Sequence, residues 1–144
     1  MLLLIVATLA SGVFAGAAVY VSVVEHPARV SCGTEAAVQE FVPSYRRASK
    51  MQASLAVVGA ACGLITGWQR QDGLLIVAAL LIGALVPFTI AIIAPTNKQL
   101  LDPSLDRRGP VAAALLRRWG ALHSLRTLVS LAAFAMFVLR LATN

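Results

Sequence analysis

The sequence predicts an all-α, integral membrane four-helix bundle, and three observations carry that prediction. Of its 144 residues, 59% are hydrophobic and only 12% are charged, whereas soluble domains run at roughly 45–50% apolar. The apolar residues gather into four runs bounded by charge, each close to the roughly 20 residues that cross about 30 Å of hydrocarbon. The middle two runs are joined only by "QRQDG", a tight hairpin, while the outer connections are long and basic. One domain covering residues 1–144 is expected, with helices over about 1–25, 45–69, 73–96 and 112–141.

The first run, Met1 to Val24, holds no ionisable side chain. It lacks the basic leading region of a signal peptide and outlasts the usual apolar stretch of about 7–15 residues, so a retained helix is expected. Gly12 and Gly16 on this helix offer a Gly-xxx-Gly face for close backbone approach, or for pairing of copies in a homo-oligomer. At its end stands "VEHPAR", where Pro27 is expected to break the helix just after Glu25 and His26. The second run enters through "FVPSYRRASKMQ", with Tyr45 and Arg47 near its start, and closes on Trp68. The third ends in "APTN", where Pro95 interrupts and Asn97 offers both amide donors and a carbonyl acceptor.

The fourth run starts at "RRWGALHSLRT". A charge at membrane depth costs on the order of 3 kcal/mol, so His123 and Arg126 need a partner or a task. Trp119, His123 and Arg126 share one helical face at i, i+4 and i+7. All four polar clusters therefore fall at one end of the bundle, and a polar cavity there is the simplest geometry joining them. Arg126 is expected beside Glu25, with His26, Tyr45, Arg47, Asn97 and Trp119 around the same cavity. A sparse internal echo, "HPAR" and "APTN" each followed by a basic pair, suggests parallel repeats.

The net charge of +6 sits in connections rather than on a soluble scaffold with interleaved aromatics, which argues against a nucleic-acid partner. Arg29, Arg46, Arg47 and Lys50 lie in the first long loop and Lys98, Arg107, Arg108, Arg117 and Arg118 in the second. The positive-inside bias then puts both long loops in the cytoplasm and both termini outside, in a multi-pass protein of the cell membrane. Cys32 and Cys62 form no metal or redox pattern. Phosphate-binding Gly-rich loops, a serine nucleophile elbow and HExxH are missing from the sequence. A single polar cluster at one end offers no path for a transporter.

Each polar residue admits a structural reading beside a functional one. Arg126 with Glu25 reads as a buried ion pair that holds the bundle together. His26 and His123 read as hydrogen-bonded core residues, as a general base or acid, or, with Glu25, as ligands to a metal or haem. Tyr45 and Trp119 read as interface anchors, and Asn97 as a helix C-terminal cap or a substrate clamp.

The stretches "VEHPAR", "YRRASKMQASLA", "VPFTIAIIAPTNKQLL" and "LLRRWGALHSLRT" resemble those of the small four-helix membrane proteins grouped with the anthrone oxygenases. The most specific parts are Pro-Thr-Asn ending the third helix and Trp-x3-polar-x2-Arg opening the fourth. The resemblance carries the family pattern onto Glu25, Pro27, Tyr45, Arg47, Pro95, Asn97, Trp119 and Arg126. This chain departs from the pattern at His123, where Asn is common, and at His26, where an apolar residue is common. The resemblance implies dioxygen-dependent oxidation of an anthrone to an anthraquinone without a bound cofactor. On that reading, His123 or His26 removes a proton and Arg126 or Arg47 stabilises the resulting anion, the substrate being a lipophilic aromatic or quinone-like molecule from the lipid bilayer. The other expectation is a non-enzymatic membrane protein whose cavity holds a lipid, quinone, haem or metal, or docks a partner.

Overall fold

The computed structural model describes residues 1–143, and among these it is helical with no strand. Four helices are long and apolar enough to cross a membrane: α1 (Leu2–Ser31), α2 (Thr34–Arg70), α3 (Gly73–Leu100) and α4 (Pro110–Ala142). Each packs against two neighbours in a square, α1 on α2 and α4, and α3 on α2 and α4. At 37 residues, α2 is roughly 55 Å long at 1.5 Å per residue, far beyond the roughly 30 Å of hydrocarbon. The excess lies at one end.

There the expected long loops turn out to be mostly helix. The first connection shrinks to Cys32 and Gly33, with Gly33 at φ +93°, a left-handed conformation suited to glycine. Residues 34–44 extend α2 because they are amphipathic: Ala37, Val38 and Phe41 are buried while Glu35 and Glu40 stay outside the core. The second connection is residues 101–109. In it the Ser104 N–H and hydroxyl both donate to Asp102, at 2.8 and 2.7 Å, holding that carboxyl below the usual carboxylate range. Arg108 Nε pairs with Glu35 at 2.7 Å, tying the two turns together at the same end of the bundle. At the opposite end, Asp72 caps α3 by accepting from the Leu74 and Leu75 N–H groups and pairs with Arg140 at 2.9 Å.

The prolines do not break the helices as expected. Val21–Glu25 and Thr89–Ile93 are π-helical turns, in which the His26 and Ala94 N–H groups donate to the carbonyls of Val21 and Thr89, five residues back. A proline brings no N–H, and its ring crowds the carbonyl four residues earlier. The wider π turn ahead of Pro27 and Pro95 absorbs that conflict inside a continuous helix.

Two apolar clusters form the core. One, near the termini, is built on Leu4, Phe14, Leu75, Ile82 and Phe137. The other, near the Gly33 and 101–109 turns, is built on Val38, Phe41, Ile93, Leu100 and Trp119. Small residues let the helices close up. A Cβ at Gly63 would lie 2.6 Å from the Phe137 ring, and one at Gly12 would lie 2.8 Å from Phe134. Gly12 therefore serves contact with α4, and only Gly16 is open, so the Gly-xxx-Gly pair does not form one free face.

Candidate functional site

Between the two clusters lies a cavity of about 190 Å³, more than ten times what a single water needs. All four helices contribute. α1 supplies Phe14 and Glu25, α2 supplies Phe41, Tyr45 and Gln52, α3 supplies Thr89 and Asn97, and α4 supplies Trp119, His123 and Arg126. Trp119, His123 and Arg126 thus share one wall, as their helical spacing implies. His123 is 3% exposed, and its ring stacks on Trp119 at 4.7 Å between centroids. Its Nδ1 lies 3.0 Å from the Ser22 hydroxyl, which also contacts the Thr127 hydroxyl at 2.8 Å.

The expected pairing of Arg126 with Glu25 does not occur. Glu25 is held by Arg29, four residues on along the uninterrupted helix, and by the Ser44 hydroxyl at 2.7 Å. The sequence reading took the helix to end at Pro27, and that hid the i, i+4 relation. Arg29 was read as a loop charge, yet it is buried, pairs also with Glu40 at 2.7 Å, and faces the Phe41 and Trp119 rings at 5.8 and 5.7 Å. Arg126 instead sits over the Phe14 ring at 4.8 Å. No described carboxylate pairs with it, and its Nε is buried without a hydrogen-bond partner.

Other expected positions also shift. Arg47 is exposed and does not line the cavity. It follows Tyr45 by two residues, about 200° around the helix, so the face that turns Tyr45 inward turns Arg47 out. His26 is not a lining residue. Its ring lies 5.1 Å from Trp119, and its Nε2 is 2.6 Å from where a Cβ at Gly120 would stand. With His26 outside the cavity, the ligand set of His26, His123 and Glu25 does not converge, and among the described residues no three His, Cys, Asp or Glu side chains do.

Trp119 is 6% exposed and central, making an edge contact with Phe41 at 5.2 Å, so the interface-anchor reading fails for it. Trp68, 74% exposed at the end of α2, keeps the position of an anchor. Tyr45 stacks on Phe41 at 5.6 Å as part of the cavity wall. Asn97 does not cap α3, which runs on to Leu100. It is buried, and neither amide atom has a partner. Such a group carries a desolvation penalty unless something in the cavity meets it. The outwardly exposed Ala53 and Ile90 also line the cavity, which therefore approaches the outer surface between α2 and α3.

Ser22, Arg29, Ser44, Gln52 and Thr127 are the site residues that sequence reasoning missed. Arg29 had a signal in its spacing from Glu25. Ser22 and Thr127 had none, because a hydroxyl in an apolar helix usually bonds its own backbone.

These features define an all-helical four-helix protein, compatible with multi-pass membrane insertion, that encloses an apolar cavity with a histidine, an unpaired arginine and an orphan amide. Residues 41–136 match the family model described as anthrone oxygenase, more than half of the chain, and the chain belongs to that family. The match begins at Phe41, so Ser22, Glu25 and Arg29 on α1 lie outside it. Among curated proteins and solved structures, nothing matches the chain.

Proposed function

We propose that this protein is a membrane-embedded oxidoreductase that uses dioxygen to convert an acidic methylene of a planar, lipophilic aromatic ketone into a second carbonyl. The observation that carries this reading is His123 facing an apolar, aromatic-walled cavity together with a cation that has no carboxylate and an amide that has no partner. His123 removes a proton from the methylene, and the negative charge spreads onto the ketone oxygen. The Arg126 guanidinium and the Asn97 N–H groups stabilise that oxyanion. The electron-rich anion reduces dioxygen and forms a C–O bond to it. Loss of water from the resulting hydroperoxide, with departure of the second methylene proton, leaves the new carbonyl. One CH2 and one O2 thus become one C=O and one H2O. The approach of the cavity to the outer surface beside Ala53 and Ile90 gives such a substrate a route from the bilayer. We further propose that the Gly33 and 101–109 turns face the cytoplasm, since Arg46, Arg47, Lys50, Lys98, Arg117 and Arg118 are exposed toward that end.

The test is oxygen uptake and quinone absorbance with anthrone as the probe, using the full chain in lipid nanodiscs. His123→Ala is expected to slow turnover by on the order of 10²–10⁴-fold, and Arg126→Leu by about 10²–10³-fold. A wild-type rate no faster than that of empty nanodiscs overturns the oxygenase reading. Saturable anthrone binding under that condition would instead make this a lipophile-binding protein.

A further inference from the structure

The hydroxyls behind His123 decide which of its nitrogens carries the proton. Ser22 Oγ lies 3.0 Å from His123 Nδ1 and 2.8 Å from Thr127 Oγ1. Thr127 Oγ1 in turn reaches two backbone carbonyls, that of His123 at 3.0 Å and that of Ala18 at 3.2 Å. A hydroxyl has one proton to give, so the chain of contacts runs in one of two directions.

In the first direction, Nδ1–H donates to Ser22, Ser22 to Thr127, and Thr127 to a carbonyl. All three contacts are then hydrogen bonds, and Nε2 keeps its lone pair. In the second, Thr127 donates to Ser22 and Ser22 to Nδ1. That direction makes two bonds, leaves the carbonyls without the hydroxyl proton, and puts a proton on Nε2, for which the described residues supply no acceptor. Nε2 is not among the buried side-chain atoms lacking a partner, and His123 is otherwise buried and lines the cavity, so Nε2 is left open toward it. The first direction makes one more hydrogen bond within the protein.

We propose that Ser22, oriented by Thr127, is a positioning residue that holds His123 as its Nδ1–H tautomer and keeps the Nε2 lone pair bare toward the cavity. Its catalytic meaning rests on the reading of His123 as the base, whereas the tautomer itself does not. The arrangement joins α1 to α4 at the first turn past Tyr20, where the π turn begins. Neither hydroxyl touches the substrate. Each acts through the imidazole, as the orienting member of a nucleophile–base constellation does.

The experiment is 15N NMR of histidine-labelled full-length protein in nanodiscs, with the His123 signals assigned by their loss in His123→Ala. Ring nitrogens with and without a proton differ widely in shift and report the tautomer directly. Wild type is expected to show a protonated Nδ1 and an unprotonated Nε2. Thr127→Val removes the acceptor of the Ser22 proton and leaves one hydrogen bond in either direction, so the Nε2–H tautomer becomes populated beside the Nδ1–H one. Thr127→Ser is expected to keep the wild-type tautomer. With anthrone, Thr127→Val and Ser22→Ala are expected to lower kcat by up to about tenfold at unchanged KM, below the 10²–10⁴ range for losing the base itself, and Thr127→Ser to restore it. A wild-type Nε2–H tautomer, or a tautomer unmoved by Thr127→Val, overturns the proposal. The expected tautomer together with full activity in His123→Ala would keep the positioning role and remove the base from the proposed function.

Discussion

Replacing Arg29 with Met tests the ion-pair assignment that separates this structure from its sequence reading. The Arg29 side chain is 4% exposed and lies between Glu25, 24% exposed, and Glu40, 46% exposed. Stranding one member of a fully buried pair costs about 3–5 kcal/mol. Glu25 is partly solvated and keeps the Ser44 hydroxyl at 2.7 Å, so its share falls to about 2 kcal/mol by the same reasoning. The Glu40 contact is close to a surface pair and is worth less than about 1 kcal/mol. Loss of the two ring contacts adds about 1 kcal/mol, and Met recovers part of this by filling the same apolar volume. The expected loss is about 3 kcal/mol. Reversible unfolding in mixed micelles containing SDS, followed by tryptophan fluorescence, measures it. Glu25→Gln in the Arg29→Met background should recover about 2 kcal/mol, because no buried carboxylate is then left unpaired. A loss below about 1 kcal/mol, or a double mutant no more stable than additivity predicts, would refute the argument.

Three further outcomes are expected. Arg126→Leu should leave stability unchanged or raise it by up to about 2 kcal/mol in the same unfolding assay, since the cation has no carboxylate to strand, while anthrone turnover slows by about 10²–10³-fold; destabilisation beyond about 1 kcal/mol would show a partner that the contacts do not. Gly63→Ala should cost about 1–2 kcal/mol, overpacking against Phe137 and Ala79 outweighing a helix-propensity gain of about 1, and Phe137→Leu added to it should give a double mutant more stable than the sum of the two single changes. In a background with Cys32 and Cys62 replaced by Ser, a cysteine at Gly73 should react with an impermeant thiol reagent on intact cells and one at Pro103 should not; the opposite pattern reverses the orientation.

The four spans were legible because lipid imposes the plainest of patterns, long stretches without charge. The inward face of α4 was legible for a related reason: Trp119, His123 and Arg126 on one face of an apolar helix make sense only if that face is sheltered. What stayed hidden depended on backbone geometry. Charge marked where hydrocarbon ends, and it was read as marking where helix ends, so residues 34–44 passed for loop. Pro27 was read as a break, so Glu25 and Arg29 were never placed a turn apart, and Glu25 was assigned to the wrong arginine. Asn97 was expected at the cavity, which it lines, and only the competing reading as a helix cap fails. Ser22 and Thr127 become site residues only when two helices far apart in sequence meet, and no local pattern announces that.

The two π turns have a consequence for how the chain tolerates insertions. Each starts six residues before a proline, at Val21 and at Thr89. A π turn is an α-helix carrying one surplus residue, and its wider winding takes up the roughly 100° which that residue would otherwise add. Removing the exposed Val24 would therefore restore regular winding and leave Arg29 facing as it does now, while Leu4 and Phe14 upstream kept their packing. A residue removed from the regular winding of residues 2–20 finds no such slack and swings one flank against the other by about 100°. The two π turns are thus the slack in two otherwise rigid rods, the places where a single-codon deletion re-aims neither the half that glues the bundle together nor the half that shapes its interior chemistry.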